Sequence, residues 1–181
     1  GKCLDANTML PITVDVDGAF GEYFYRTCTE YSIMGGVSIG KLAKIIQDYC
    51  HFVLKDNEEY KVDNLGISID TPNGAQPVQY IIQKPGLPMV SITFSNGYTL
   101  RCAAKHILRR DNKDVYATDV SVGDRLCHRD GVLTVMSVFN AGVDTCYDIS
   151  VPSPHLYYDS AGLVHHNTII TAILSHKVEP Y

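Results

Sequence analysis

Four Asn-Gly or Asp-Gly pairs, at 17–18, 73–74, 96–97 and 130–131, separate short runs rich in Val, Ile, Thr, Tyr and Phe. Asn, Asp and Gly tolerate the positive φ angles of tight hairpin turns, and β-branched and aromatic residues suit the pleated backbone on either side. A chain written this way folds into antiparallel hairpins. The plainest case is MVSITF (89–94), the turn SNG, then YTLRCAA (98–104). Val90, Ile92 and Phe94 alternate onto one face, as do Tyr98, Leu100 and Cys102 on the return. LTVMSVF (133–139) and CYDISV (146–151) add two more strands; in the second, Tyr147, Ile149 and Val151 face the core and Asp148 points to the opposite side.

One helix interrupts the strands. Ser38 is a good N-cap, and Ile39, Leu42, Ile45, Tyr49 and Val53 recur near helical spacing, which predicts a helix over 38–54. A second helical candidate, 168–175, is apolar but too short to hold by itself. Many short strands with little helix predict one curled, all-β domain. A length of 181 residues with 45% hydrophobic content supplies a single core, and the tyrosines are expected to pack the sheet surfaces.

A formal charge of -5 without any Lys/Arg run argues against nucleic acid as a partner, because phosphate binding needs clustered positive charge. No charged-then-apolar leader opens the sequence, and no apolar run approaches the ~20 residues that cross a bilayer. The expectation is a monomer in the cytoplasm, an intracellular and reducing setting, with no membrane contact. The six cysteines (Cys3, Cys28, Cys50, Cys102, Cys127 and Cys146) are accordingly expected to be free thiols. Zinc sites favour paired ligands such as CxxC; Cys102 and His106 stand alone at CxxxH spacing, so neither a metal nor another cofactor is expected.

The chemistry lies in the two ends taken together. Cys3 opens CLDANTML, and His166 and Asn167 in VHHNT (164–168) stand directly before the hydroxyl of Thr168. Between them lie TLRCAAKHIL (99–108) with His106, YATDVSVGDRL (116–126), and CYDISVPSPHLYYDSAGLVHHN (146–167) with Asp148 and His155. Singly, His106 reads as a structural histidine, Asp148 as a solvated strand residue and His155 as a turn residue. In this order and spacing the segments resemble the blocks of an intein of the Hint superfamily, and the match runs from Cys3 to Thr168.

That resemblance implies a horseshoe-like Hint fold and autocatalytic, single-turnover protein splicing. Residues 3–167 would be the splicing domain, excised while the flanks 1–2 and 168–181, the exteins, are joined. Cys3 would attack the carbonyl of Lys2 to give a thioester, with His106 protonating the leaving nitrogen. Thr168 would then take the acyl group as a branched ester, with Asp148 as its base. Asn167 would cyclise to a succinimide, His155 and His166 moving the protons, and an ester-to-amide shift at Thr168 would finish the ligation. The short CHRDG (127–131) occupies the place where larger family members carry a homing endonuclease, so a mini-intein is expected.

Two departures stand out. The family's TxxH threonine is Ala103 here, and the neighbouring Cys102 would point to the other face of the strand. The stretch from Cys3 to His106 is long, with 18–36 reading as an insertion and as the place where a naturally split version, completed by a complementary fragment, would break. Splicing would give GKTIITAILSHKVEPY, whose GKT resembles the end of a Walker A loop; the implied host is a phage helicase-type P-loop ATPase. Two alternatives stay open: a Hedgehog-type Hint domain that stops after N-terminal cleavage, and a non-catalytic β-rich interaction module.

Overall fold

The structure, a computed structural model, describes residues 2–167, 169 and 175–179. Among these run β1 (Leu4–Asp5), β2 (Met9–Leu10), β3 (Ile12–Val14), α1 (Ala19–Thr27), β4 (Val37–Ser38), α2 (Ile39–Cys50), β5 (Glu59–Lys61), β6 (Ile67–Thr71) and β7 (Gly74–Pro77). Then follow β8 (Tyr80–Phe94), β9 (Thr99–Ala103), β10 (Ile107–Arg110), β11 (Lys113–Tyr116), β12 (Arg125–His128), β13 (Gly131–Ser150), β14 (Leu156–Tyr158), β15 (Val164–His166) and β16 (Ser175–Lys177). The chain is β-rich, as its turn chemistry predicts, and among the described residues no helix is long and apolar enough to cross a membrane.

Three of the four turn pairs close hairpins, β6 to β7, β8 to β9 and β12 to β13, with Gly74, Gly97 and Gly131 at φ of 85°, 87° and 118°. The fourth, Asp17–Gly18, opens α1 instead. Asp15 folds the chain there: its carboxylate accepts the Asp17 N–H (3.0 Å) and its carbonyl accepts the Gly18 N–H (3.3 Å). A Cβ at Gly21 would collide with that same carbonyl, so only glycine lets the first turn of the helix close over it. Within the segment read as an insertion, Phe20 and Phe24 of α1 are buried, and Phe20 and Tyr23 pack on Tyr49 of α2 at 5.2 and 5.1 Å between ring centroids. Each such pair contributes about 0.5–1.5 kcal/mol beyond its buried area. These tyrosines therefore join helix to helix and do not pave the sheet.

Ser38 caps α2 as expected, its Oγ accepting the Lys41 N–H at 3.2 Å, a contact worth about 1 kcal/mol. The helix ends at Cys50 and not at 54, because His51 adopts the left-handed conformation (φ 55°, ψ 52°) and turns the chain. Val53 consequently lies off the core face, 77% exposed. Of the second helical candidate, 168 and 170–174 lie outside the described residues, while Ser175 begins β16, which pairs parallel with β5.

The site is positioned by two long antiparallel strands. The two short strands expected at 133–139 and 146–151 are parts of one, β13, which pairs with β8 along most of its length and absorbs three register shifts. β1 lies between β13 and β9, and β9 in turn pairs with β8: Leu4 pairs with Tyr147 of β13 and with Cys102 of β9, and Asp5 pairs with Cys146. Val90, Ile92, Phe94, Leu100 and Cys102 of the predicted hairpin are all buried. Ile149 and Val151 face the core as expected. Asp148 also has no exposure, because the opposite face of β13 is covered as well.

Candidate active site

The pairing of β1 with β13 sets Cys3 beside Cys146, and the two form a disulfide with Cα atoms 5.5 Å apart. This corrects the reading of all six cysteines as free; Cys28, Cys50, Cys102 and Cys127 are free. No local spacing announces the pair, since 143 residues separate its members and only strand register brings them together. Cys3 and Cys146 are fully buried, packed with Met89 and Ala103 in a small cluster apart from the main core. Ala103 donates its backbone N–H to the Cys3 carbonyl at 3.0 Å, while Cys102 points into the main core.

The Lys2 carbonyl oxygen, which belongs to the peptide preceding Cys3, accepts a hydrogen bond from the Lys84 ammonium at 3.3 Å. Lys84 stands on β8 directly across from Cys146. Burial lowers its pKa, and the Asp148 carboxylate nearby opposes that effect. The expected TxxH hydroxyl is absent at Ala103, and a half-buried ammonium reaches the carbonyl oxygen from another strand. Sequence reading missed it because Lys84, followed by Pro85 and Gly86, looks like part of a loop.

His106 follows β9 and is fully buried. Its Nε2 lies 2.8 Å from His165 Nδ1, and His165 Nε2 lies 2.8 Å from Asp159 Oδ2. Burial, reinforced by the charges of His165, Lys84, Lys2 and His166, holds the His106 pKa well below the ordinary histidine value. The ring is therefore neutral at neutral pH. Both charged lysines of the N-terminal side thus stand close enough to act on it.

The C-terminal side reaches the same ring through β15. His165 and His166 pair with Leu108 and Ile107 of β10, and with Tyr157 and Leu156 of β14. Asn167 is fully buried; its Oδ1 accepts the Val151 N–H at 3.1 Å, and its own N–H bonds the His155 carbonyl at 2.8 Å. His155 donates through Nδ1 to the Val151 carbonyl (2.9 Å), and its ring lies 6.2 Å from that of His166. Burial is the main cause lowering the His166 pKa. Asp148 accepts the Tyr157 hydroxyl at 3.2 Å. Thr168 lies outside the described residues.

No model of a known protein family matches the chain, and no curated protein matches it. Solved structures do. The VidaL intein superposes with a TM-score of 0.68 at 22% identity, covering 93% of this chain and 99% of that one. The transcription factor IIB Mvu mini-intein gives 0.68 at 18%, covering 92% and 100%, and a DnaB intein from Synechocystis gives 0.59 at 14%, covering 92% and 99%. The chain has the intein fold. Each of these neighbours is covered over nearly its whole length.

In this intein fold Cys3, His106, Asp148, His155, His166 and Asn167 converge from both ends of the chain. Lys84, Cys146, His165 and Asp159 join them. A signal for His165 existed: two adjacent histidines on a short strand must point to opposite faces, so His165 faces inward where His166 does not. Among the described residues no group of three or more His, Cys, Asp or Glu side chains is placed to hold a metal ion.

Proposed function

We propose that this chain splices itself, residues 3–167 leaving as the flanks Gly1–Lys2 and 168–181 are joined. The observation that carries the reading is the convergence on one buried imidazole. His106 is hydrogen-bonded to His165, next to His166 and Asn167, and its backbone N–H bonds the carbonyl of Ala103, whose own N–H bonds Cys3.

A disulfide sulfur is not a nucleophile, so the Cys3–Cys146 bond must first be reduced by an external thiol, which takes up the oxidising equivalents as its own disulfide. The Cys3 sulfur then attacks the Lys2 carbonyl carbon, and the oxyanion that develops is held by the Lys84 ammonium already on that oxygen. Collapse breaks the bond to the Cys3 nitrogen, which takes a proton, and leaves a thioester. Thr168, with Asp148 as its base, takes the acyl group from sulfur to oxygen.

In the last cleavage the Asn167 Nδ2 attacks its own backbone carbonyl. The bond from the Val151 N–H to Oδ1 fixes the carboxamide plane, so that the nitrogen is aimed with little further loss of entropy. His155 and His166 move the protons. The joined flanks would read GKT at the seam, consistent with a P-loop ATPase of the helicase type as host; the partners of this reading are the chain's own flanks, and a complementary fragment enters only in a naturally split version.

Two variants, reduced and followed by mass spectrometry, test the proposal. Asn167→Ala is expected to release its N-terminal flank to added thiol while keeping the C-terminal one, and Cys3→Ala to do the reverse. Release of neither flank would reduce the chain to a binding module. N-terminal release alone, with an inert Asn167, would make it a thioester-only domain of the Hedgehog kind.

A further inference from the structure

Among the described residues, β5 has β8 on one side and only β16 on the other. β16 joins it in parallel, with Ser175 opposite Glu59, His176 opposite Tyr60 and Lys177 opposite Lys61. A bare strand edge presents unpaired N–H and C=O groups, and an extended segment that meets it gains main-chain hydrogen bonds whatever its sequence. Here side chains add contacts that depend on sequence. In an extended segment residues 176 and 178 share a face. The His176 ring stacks on Tyr60, centroids 4.9 Å apart, and its Nε2 donates to Glu58 Oε1 at 3.1 Å. Val178 is 4% exposed and belongs to the main core. Its N–H donates to the Lys61 carbonyl at 3.1 Å, and its carbonyl accepts Asn64 Nδ2 at 2.9 Å.

Register ties this edge to the candidate active site. Glu59 is also paired with Ile82 of β8, and Ile82 with Asp148 of β13, so Ser175, Glu59, Ile82 and Asp148 form one line across four strands. At about 4.8 Å per strand, Ser175 lies on the order of 15 Å from Asp148. Thr168 stands seven residues before Ser175, a length of chain that reaches up to about 25 Å. A downstream flank anchored on β5 therefore has chain enough to keep Thr168 at Asp148.

We infer that the edge of β5, with Tyr60, Glu58 and Asn64, is a recognition site for the downstream flank, which it reads at His176 and Val178, and that this docking keeps Thr168 in reach of the pocket. The inference rests on the splicing reading and extends its substrate requirement to the ninth and eleventh residues past the seam. The need arises from the order of bond breaking. Cyclisation of Asn167 severs the flank from residues 3–167, and an undocked flank cut before acyl transfer leaves unjoined. A docked one stays at high effective concentration, so Thr168 still meets the thioester. The bond between the Cys3 sulfur and the acyl carbon then breaks, the Thr168 oxygen takes the acyl group, and the hydroxyl proton passes through Asp148 to the sulfur.

Two measurements on the full chain test this. In the oxidised chain the residue-178 amide is expected to exchange its hydrogen at least about tenfold more slowly than in a free peptide of residues 168–181. Val178→Asp should remove that protection, because a carboxylate does not enter the core unpaired. After reduction, the ratio of joined peptide to unjoined flanks should fall about tenfold or more in Val178→Asp. It should fall about threefold in His176→Ala, with His176→Phe restoring it through the ring contact. Both positions lie outside residues 3–167, so thiol-induced N-terminal release, measured in the Asn167→Ala background, should stay within about twofold. A residue-178 amide that exchanges as in the free peptide would overturn the inference, and so would an unchanged product ratio in Val178→Asp. An equal fall in N-terminal release would mark general damage to the fold and overturn it too. A protected amide in a reduced chain that neither joins nor releases its flanks would overturn the splicing reading instead.

Discussion

On the N-terminal side of the pocket the Cys3 sulfur, proposed to react, is tied to Cys146, and the Lys2 carbonyl it would attack receives a charged donor from Lys84. On the C-terminal side the Asn167 carboxamide, proposed to cyclise, accepts a neutral backbone N–H, and the His155 and His166 rings lie 6.2 Å apart beside it. The first side has a charged donor and a disulfide; the second has a carboxamide oriented by a backbone N–H. The contrast matches the chemistry. Turning an amide into a thioester runs uphill and needs its oxyanion stabilised, whereas an asparagine beside its own carbonyl needs chiefly orientation.

Breaking the disulfide should give the largest effect. The oxidised chain is expected to show no N-terminal release in a mass spectrum, reduction to switch it on, and Cys146→Ala to release without reductant. Release from the oxidised chain at the reduced rate would erase the distinction between the two sides. Asn167→Ala comes next, lowering C-terminal release by about 10³-fold or more because the succinimide route needs that side-chain nitrogen as its nucleophile.

Lys84→Met probes the electrostatic side of the contrast. Loss of one preorganised donor to a developing oxyanion costs about 10²–10³ in rate, so N-terminal release should fall by that factor and C-terminal release hardly at all. Equal losses at both ends would point to general damage, and no loss would leave the first step without an oxyanion donor on the Lys2 carbonyl.

The smallest expected effect is on stability. The folded pKa values of His106 and His166 are depressed, so the unfolded chain binds protons that the folded one refuses. The stabilisation from their neutral forms is complete above about 6.5, the unfolded value, and is lost as pH falls toward the folded values. Each excluded proton changes the folding equilibrium by up to about tenfold per pH unit there. Urea midpoints should therefore drop between pH 7 and pH 5, less steeply in His106→Gln. A midpoint that rose on acidification would contradict the sign.

The sequence carried the hairpins and the reacting residues unevenly. Alternation over 89–104 is a local signal and gave strands and faces correctly, and Ser38 marked the start of α2. What lay beyond a window of a few residues was lost: the disulfide, because register between β1 and β13 creates it; Lys84, because a strand rich in Pro and Gly looks like a loop; and the buried state of Asp148, because alternation tells the two faces of a strand apart without telling whether both are covered. α1 was hidden by an Asp-Gly pair that serves elsewhere in the chain as a hairpin turn. The candidate site was legible as a set of residues at the ends and illegible as a row, since Asp159 and His165 acquire meaning only through the 2.8 Å contacts that join them to His106.

The central claim, that both ends react in one pocket, is tested most directly by reducing the unaltered chain and sequencing its small products by tandem mass spectrometry. A peptide of Gly1–Lys2 joined directly to Thr168 is expected to accumulate together with the excised 3–167 fragment. Two unjoined flanks, or a chain that stays whole after its disulfide is opened, would contradict it.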